Sequence, residues 1–252
     1  MRGLALALLL ALAPVAVRAE LPTVAAKVVR TYPHDPRAFT EGLFWHGGTL
    51  YESTGEPGRS FIRKVDLATG HVLAQATIAA PTFGEGIVPW HDQIVSLTWQ
   101  DHKGWRWSLD GLKRLSEWHY PGEGWALTSD GHSLIMSDGT PALRFLDPDT
   151  LTERHRLTVT AEGKPVANLN ELEWVDGEIL ANIWQTDFIA RIDPKSGHVV
   201  GWIDVGALHR QIGYADSDAV PNGIAWDAAK RRLFVTGKDW PTLFEIVPPK
   251  RR

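Results

Sequence analysis

Short runs of alternating apolar and polar residues follow one another along the chain from about residue 25 to its end. Runs of this kind, rich in Val, Ile, Leu, Thr and aromatic residues and bounded by turn-forming residues, predict β-strands. No stretch shows the sustained periodicity of an amphipathic helix. Five comparable runs occupy residues 49–53, 93–98, 134–137, 178–182 and 232–236. The pattern therefore predicts an all-β protein.

A short motif precedes each of these runs and repeats along the chain. Its first copy is Phe39-Thr-Glu-Gly-Leu43 and its second is Phe83-Gly-Glu-Gly-Ile87. Three more copies follow, and the interval between copies is about 40 to 50 residues, the length of one propeller blade. The residues at the third position of the five copies are Glu41, Glu85, Glu123, Asn170 and Asn222.

A turn that contains an aspartate recurs in phase with this motif. It is found at Asp66, Asp110, Asp147 and Asp193, beside glycine or proline residues that favour tight turns. Each repeat therefore contains four strands: one at the motif, one at the apolar run, and one on each side of the turn. Four-stranded sheets repeated around an axis form a β-propeller. A β-sandwich, the alternative, does not predict two motifs in phase at this period.

The two ends of the chain complete each other in this scheme. The last repeat ends near Ile246 without a fourth strand, while residues 25–32 form a strand pattern before the first motif. We therefore expect a five-bladed β-propeller of four-stranded antiparallel blades, with the ring closed by the N-terminal strand. The longest interruption of the repeat, residues 207–220, is expected to be an inserted loop.

The first residues have the pattern of a secretory leader. A positive start at Arg2 and an apolar run from Leu4 to Val17 precede small residues up to Ala19, which is typical of a Sec-type signal peptide. A membrane anchor is the alternative, but the run is short for a bilayer span. We expect a signal peptide at residues 1–19, one domain at residues 20–252, and a periplasmic or secreted protein.

Composition narrows the function. Without the leader, 24 basic residues face 30 acidic ones, a charge of about −6 that disfavours nucleic acid or an anionic membrane as partner. The absence of cysteine excludes disulfides, a cysteine nucleophile and cysteine metal ligands. Nothing in the sequence indicates an oligomer, so we expect a monomer. Twelve tryptophans exceed what a core of this size requires.

The topology predicts where the repeated motifs meet. The first and second strands of a blade form an antiparallel hairpin, and the first strands line the axis. All starts of first strands and all ends of second strands therefore surround one mouth of the central channel. Trp45, Trp174 and Trp226 fall in mid-strand and are expected to pack between blades. The residues expected at the mouth are Phe39, Glu41, Phe83, Glu85, Glu123, Trp125, Asn170, Glu171 and Asn222 at strand starts, and Glu52, Trp99, Asp138, Trp184 and Lys238 at strand ends.

Several carboxyl groups near one axis repel one another, so the pKa of at least one should rise toward neutrality, where general acid–base catalysis is effective. Glu85 is the strongest candidate, because Phe83 precedes it and Trp99 ends its own hairpin. For Glu41 and Glu123, a structural role in a turn is as compatible with the sequence as a role in catalysis or binding.

Other readings of these residues stay open at this point. Lys238 could lie on the surface, and the ring of acids could hold calcium or zinc. Motifs of serine hydrolases, zinc proteases and phosphate-binding loops are missing from the sequence.

The motifs together resemble the plant-type glutaminyl-peptide cyclotransferases, or glutaminyl cyclases, in their bacterial form. The resemblance covers essentially all of residues 20–252. It is carried by segments 38–43, 51–55, 60–67, 83–87, 97–99, 124–128, 134–140, 169–174, 181–184, 222–224 and 233–238, followed by Trp240-Pro241.

The resemblance implies a five-bladed propeller that converts the N-terminal glutamine of peptides or proteins to pyroglutamate and releases ammonia, without a catalytic metal or other cofactor. It implies that Glu85 transfers protons and that Asn170 and Lys238 contact the substrate. Glu41 is also expected to bind substrate, and it departs from the family's pattern, in which glutamine is usual at this position. The residues implied to line the substrate pocket are Phe39, Phe83, Trp99, Trp125 and Trp184.

Two other functions remain compatible with the residues alone. One is a metal-dependent propeller lactonase or hydrolase that uses the axial carboxylates. The other is a binding module that holds a peptide or a sugar at its tryptophan-rich mouth without catalysis.

Overall fold

The computed structural model describes residues 20–213 and 217–250. It confirms the predicted all-β ring of five blades, each built around a four-stranded antiparallel sheet. The expected signal peptide, residues 1–19, lies outside the described residues. Export of the chain and its single-domain boundaries therefore stay predictions.

The strands follow the predicted order in each blade. Two strands precede the first motif: β1 (Thr23–Ala25) and β2 (Val28–Pro33). Blade 1 contains β3 (Thr40–His46), β4 (Thr49–Thr54), β5 (Phe61–Val65) and β6 (Val72–Thr77). Blade 2 contains β7 (Gly84–Trp90), β8 (Gln93–Thr98), β9 (Lys103–Ser108) and β10 (Arg114–His119).

Blade 3 contains β11 (Ala126–Ser129), β12 (Leu134–Ser137), β13 (Ala142–Leu146) and β14 (Glu153–Thr158), followed by the small hairpin of β15 (Thr160–Ala161) and β16 (Lys164–Pro165). Blade 4 contains β17 (Leu169–Val175), β18 (Glu178–Ile183), β19 (Phe188–Ile192) and β20 (Val199–Asp204), and helix α1 (Gly206–Ile212) follows. Blade 5 contains β21 (Pro221–Asp227), β22 (Arg232–Gly237) and β23 (Thr242–Ile246).

The N-terminal strand closes the ring, as the sequence predicts. Strand β2 pairs antiparallel with β23 and supplies the fourth strand of blade 5. Strand β1, which the sequence pattern does not reveal, adds to the outer edge of blade 4 by pairing parallel to β20. The segment before the first motif therefore spans the outer edges of two adjacent blades.

A buried ionic network joins this closing segment to blade 1. His34, which follows β2, contacts the Trp240 carbonyl oxygen through Nδ1 at 2.5 Å and the Glu52 carboxylate through Nε2 at 2.9 Å. Glu52 also accepts hydrogen bonds from Thr40 and Arg63. Although burial alone would raise it, the His34 and Arg63 charges lower the pKa of Glu52 to about 2. His34 thus links the end of blade 5, through the Trp240 carbonyl oxygen, to Glu52 of blade 1.

The core lies between the blades rather than within each sheet. Val88 and Val95 of blade 2, for example, share one buried cluster with Leu127 and Leu134 of blade 3. First and second strands are mostly buried, whereas the fourth strands β6, β10 and β14 are mostly exposed. Trp45, Trp174 and Trp226 each pack against such a cluster, as expected of wedges between blades.

The interruption at residues 207–220 begins with a short helix that the sequence pattern did not predict. Helix α1 ends at Gly213, whose left-handed backbone (φ of 73°) is the favoured stop for a helix. Leu208 on its buried face packs into the same cluster as Trp240. Seven residues give too few turns for a periodic signal, so this helix forms through tertiary packing.

Candidate functional site

A β-bulge occurs at the repeated motif in four of the five first strands. Pairing register shifts between Thr40 and Gly42 in β3, and between Gly84 and Ile87 in β7. The same shift occurs after Leu169 in β17 and after Pro221 in β21. A bulge bends its strand and re-aims a side chain. Here it re-aims the polar side chains at the motif's third position toward the channel mouth.

The glycine that follows the glutamate in the motif is required for packing between blades. A Cβ atom at Gly86 would lie 2.4 Å from the Cα of Ala126 in blade 3. At Gly42 it would lie 2.7 Å from the backbone nitrogen of Ile87 in blade 2. Neighbouring first strands approach closely near the axis, and only glycine fits there. The Glu-Gly motif thus combines a packing requirement with a chemical group.

Blade 3 does not follow the motif alignment made from sequence. Leu127 pairs with Met136, the position at which Leu43 pairs with Glu52 in blade 1. The residue two places before Leu127 is Trp125, so this tryptophan occupies the ring position of Glu41 and Glu85. The expectation that Glu123 shares that position is wrong, because the entrance to β11 is two residues longer than the motif suggests.

The nine residues expected to catalyse or to bind substrate line one pocket at this mouth. The cavity has a volume of about 180 Å³, below the range for drug-sized ligands and suited to a single side chain. Phe39 meets Phe83, and Trp125 meets Trp184, in edge-to-face contacts. The lining residues are Phe39, Glu41, Phe83, Glu85, Trp99, Trp125, Asn170, Trp184 and Lys238, together with Asp218.

Glu85 is buried at this pocket, with 5% of its surface exposed. Among the described residues, its Oε2 atom has no hydrogen-bond partner. Burial raises the pKa of Glu85 well above its usual range, and the negative charges of Glu41 and Glu123 raise it further. A buried carboxyl group that lacks a partner costs free energy, which a bound ligand can recover.

Lys238 forms a buried ion pair with Glu41. Its Nζ atom lies 2.7 Å from Glu41 Oε1 and 4.3 Å from the centre of the Phe39 ring. The Asn222 side chain donates to the other oxygen of Glu41 at 3.0 Å. Burial raises the pKa of Glu41 to about 7, even though Lys238 counteracts it. Lys238 is 7% exposed, so the surface reading does not apply.

Glu123 lies beside the pocket and contacts its walls. Its Oε2 atom accepts hydrogen bonds from the indole nitrogens of Trp99 at 2.7 Å and Trp125 at 2.9 Å. Its Oε1 atom accepts one from the Gln100 amide at 2.9 Å. Partial burial opposes them, but these three hydrogen bonds lower the pKa of Glu123. Glu123 is therefore ionised at neutral pH.

Two further polar side chains line the pocket. Asn170 is 3% exposed, and its Oδ1 atom has no hydrogen-bond partner among the residues that the structure describes. Asp218, which the sequence analysis missed, lies at the rim, where its Oδ1 accepts a 3.4 Å hydrogen bond from Gln185. Asp218 belongs to the non-repeating segment, so no motif could have indicated it.

Three other acids expected at the mouth have structural partners. Glu52 belongs to the buried network described above. Asp138 accepts hydrogen bonds from the backbone and hydroxyl of Thr140 in its own turn. Glu171 accepts hydrogen bonds from the backbone nitrogens of Leu43 and Ile224 and so ties together three first strands.

A larger groove of about 660 Å³ adjoins the pocket. It shares Phe83 and Trp99 with the pocket, and the loops that follow β4, β6 and β8 form its other walls. Its charged and amide side chains are Glu56, Arg59, Gln100 and Asp101.

Two general features of the described ranges bear on function. Within residues 20–213 and 217–250, no three His, Cys, Asp or Glu side chains are grouped so as to hold a metal ion. No helix in these ranges has both the length and the apolar character needed to cross a membrane.

Comparison with known proteins gives a consistent result. The model of the glutamine cyclotransferase family matches residues 3–247. The chain is 43% identical over 225 residues to a glutaminyl-peptide cyclotransferase of Arabidopsis thaliana, a match covering 87% of this chain and 70% of the plant protein. It is also similar to the crystal structure of Myxococcus xanthus glutaminyl cyclase, with a TM-score of 0.85 and 37% identity, covering 90% of this chain and 97% of that one.

Proposed function

Because the chain belongs to the glutamine cyclotransferase family, we propose that it converts the N-terminal glutamine of peptides or proteins to pyroglutamate and releases ammonia. The observation that carries this proposal is the buried Glu85 carboxyl group, which lines a pocket of single-residue size and whose Oε2 atom has no hydrogen-bond partner within residues 20–213 and 217–250. Such a pocket suits a reaction in which both reacting groups belong to one residue.

The pocket walls contribute by folding the substrate. The α-amine and the γ-carboxamide of an N-terminal glutamine must approach each other for the five-membered ring to close. Phe39, Phe83, Trp99, Trp125 and Trp184 surround the pocket with aromatic edges and faces. A rigid aromatic enclosure favours the compact conformer of the glutamine side chain, and holding reacting groups in a near-attack geometry can supply much of the rate enhancement.

Glu85 is proposed to transfer the protons. The α-amine, whose pKa is about 8, attacks the carboxamide carbon in its neutral form, and its nitrogen must lose one proton as it becomes an amide nitrogen. The carboxylate of Glu85 accepts that proton as the new C–N bond forms. The resulting carboxylic acid then protonates the departing nitrogen, so the old C–N bond breaks and ammonia leaves. A raised pKa for Glu85 suits this role, because it brings the carboxyl group closer to the amine in basicity.

Two donors can stabilise the negative oxygen of the tetrahedral intermediate. Lys238 holds one N–H on Glu41 and has two more to offer to the pocket. The side-chain amide of Asn170 lines the same cavity. Donors placed in advance at a buried site lower the barrier where charge develops.

The test is a Glu85→Gln variant assayed on a peptide that begins with glutamine. We expect the unchanged protein to lower the peptide mass by about 17 Da, the mass of the ammonia displaced by the amine. The variant should fold normally, by circular dichroism and melting temperature, and lose about 100-fold or more of kcat. A variant with nearly full rate would contradict the role of Glu85.

Metal independence is part of the proposal and has its own test. Activity should persist after dialysis against a chelator and should not increase when zinc or calcium is returned. Loss of activity after chelation would instead favour a metal-dependent hydrolase. Saturable binding of glutamine peptides without ammonia release would indicate a binding module.

Export is also proposed, on the pattern of residues 1–19. N-terminal sequencing of the protein from a cell that exports it should begin at Glu20, the residue after the expected cleavage site. A mature chain that begins at Met1 would contradict export with cleavage.

A further inference from the structure

The groove beside the pocket has the position that a bound peptide requires. The pocket of about 180 Å³ accommodates one residue, so a peptide with its first residue there must continue outside. The groove of about 660 Å³ begins at the same two aromatic side chains, Phe83 and Trp99. Trp99 is 38% exposed, unusual for a tryptophan, and forms a wall of both cavities.

The charges of the groove indicate what it would accept. Arg59 is already committed, because it forms an ion pair with Glu56 and donates to the Arg37 carbonyl oxygen. Asp101 is exposed, lines the same groove as Trp99 and adds a negative charge to it. Gln100 is held by Glu123, so the wall beside Asp101 is fixed. The groove therefore has a net negative charge.

We propose that this groove binds the residue that follows the N-terminal glutamine and favours a lysine or arginine there. This inference rests on the proposed function, because it assumes that the glutamine occupies the pocket. The aliphatic part of a lysine or arginine would lie against Trp99, and its cation would face Asp101. An ion pair at an exposed site changes binding modestly, so we expect a preference of about threefold over glutamate at low salt.

The test compares kcat/KM for the peptides Gln-Lys-Ala and Gln-Glu-Ala in the protein and in an Asp101→Lys variant. The protein should favour the lysine peptide about threefold, less so at high salt, and the variant should favour the glutamate peptide. A matched control is Asp92→Lys, in the turn between β7 and β8 at the opposite end of the same blade. This control should keep the original preference.

If the ratio of kcat/KM for the lysine peptide to kcat/KM for the glutamate peptide is the same in the protein and in Asp101→Lys, the groove proposal is wrong. If neither peptide is cyclised, the proposed function fails, and the groove is then judged by the binding affinities of the same two peptides. Equal affinities in the protein and the variant would overturn the groove, whereas reversed affinities would support it without catalysis.

A second, independent observation concerns Glu123. One oxygen of its carboxylate accepts hydrogen bonds from two tryptophans on different blades, Trp99 after β8 and Trp125 before β11. An indole nitrogen only donates and an ionised carboxylate only accepts, so the three donors are fully matched when Glu123 is charged. We infer that Glu123 is a positioning residue that sets the spacing of two pocket walls.

The variants Glu123→Gln and Glu123→Asp separate the geometry from the charge. The amide of glutamine keeps one acceptor oxygen for the two indoles but places an NH2 group where Glu123 accepts from Gln100, and it removes the charge that strengthens all three hydrogen bonds. We expect a loss of about 10- to 100-fold in kcat, since small displacements in a shaped site are costly. Glu85 faces Glu41, Lys238 and Glu123, so removing the Glu123 charge should also move the acidic limb of the pH profile to lower pH.

Glu123→Asp keeps the charge but shortens the side chain. It should lose activity while its pH profile stays in place. A matched control is Glu117→Gln. Glu117 accepts a hydrogen bond of 3.0 Å from the Trp105 indole, and neither residue lines the pocket. If both Glu123 variants behave like Glu117→Gln, the inference is wrong. If Glu123→Gln does not fold, Glu123→Asp is sufficient as a test, because full activity in that variant would contradict the positioning role of Glu123.

Discussion

Equivalent residues of the repeat have different roles because their neighbours differ. The ring positions of Glu41 and Glu85 are related by the same bulge in successive first strands. Yet Glu41 is held by Lys238 and Asn222, while one oxygen of Glu85 has no hydrogen-bond partner in the part of the chain that the structure describes. Position in the repeat brings a side chain to the mouth, and the residues around it decide what it can do.

Changing Glu41 to glutamine should shift the pH dependence of the reaction. The negative charge of Glu41 raises the pKa of Glu85, so its removal should lower that pKa. The acidic limb of kcat/KM, which reports the free enzyme, should therefore move to lower pH. A pH profile of kcat/KM for Glu41→Gln against the unchanged protein measures the shift. A limb that stays in place or moves to higher pH would contradict the electrostatic coupling.

At the residue scale, sequence reasoning placed side chains well where the repeat applies. Motif position and hairpin geometry brought together all nine expected pocket residues. The register of Glu123 could not be predicted, because a two-residue difference at the start of β11 is visible only in strand pairing. Asp218 was missed because the segment between α1 and β21 has no counterpart in other blades.

At the scale of elements, the close approach of first strands near the axis determines where glycine is required. Gly86→Ala would place a methyl group 2.4 Å from the Ala126 Cα, against backbone that cannot move freely. We expect a loss of about 1–3 kcal/mol in unfolding free energy, with reduced activity because Glu85 is adjacent. Chemical denaturation measures the first effect and a glutamine-peptide assay the second.

The control for this change is Gly111→Ala. A Cβ atom at Gly111 would have 3.6 Å to its nearest neighbour, an ordinary contact. This variant should match the unchanged protein in both stability and rate. Equal stability of the two variants would show that the first strands can separate to admit a methyl group.

The network between the closing segment and blade 1 should make stability depend on pH in two directions. Glu52 has a pKa lowered from 4.5 to about 2, so its stabilisation is complete above pH 4.5 and is lost as pH falls toward 2. Burial opposes it, but Glu52 raises the pKa of His34 above 6.5. The contribution of His34 is therefore complete below pH 6.5 and is lost as pH rises through its folded-state pKa.

Glu52→Gln tests this network. The variant leaves Arg63 and His34 buried with one charged partner fewer, which typically costs about 3–5 kcal/mol. Its unfolding free energy should also vary less between pH 2 and pH 4.5 than that of the unchanged protein. Denaturant unfolding at several pH values measures both effects. A variant with parallel pH dependence would show that other carboxyl groups cause the acid sensitivity.

At this scale the strands were predictable and the helix was not. Strands can be predicted from alternating apolar and polar residues and from the turns between them. The five apolar runs named in the sequence analysis coincide with the second strands β4, β8, β12, β18 and β22. Strand β1 has three exposed residues, and α1 has seven residues. Neither is long enough to show a period, so both follow from the packing of the surrounding blades.

At the scale of the whole molecule, the ring depends on a strand from the opposite end of the chain. Removing residues 20–33 would take away β2 and leave the edge of β23 unpaired, and an exposed sheet edge promotes aggregation. We expect this truncation to abolish cooperative thermal unfolding. Removing residues 20–25 takes away only β1 at the edge of blade 4 and should leave a cooperative transition.

The two truncations are compared by thermal unfolding followed by circular dichroism and by size-exclusion chromatography. A cooperative, monodisperse protein without residues 20–33 would contradict the closing role of β2. The ring and its closure were predictable at this scale. The last repeat lacks a fourth strand, and an additional strand pattern precedes the first repeat.

The pairing of β2 with β23 also has a consequence for how the protein is made. The first long strand to be synthesised finds its partner only when the last blade exists. At usual rates of protein synthesis, of about 5–20 residues per second, the interval between the two strands is about 10 to 40 seconds. During that time β2 has no partner strand, so the ring is still open. Completion of the last strand is therefore what commits the polypeptide to its native state.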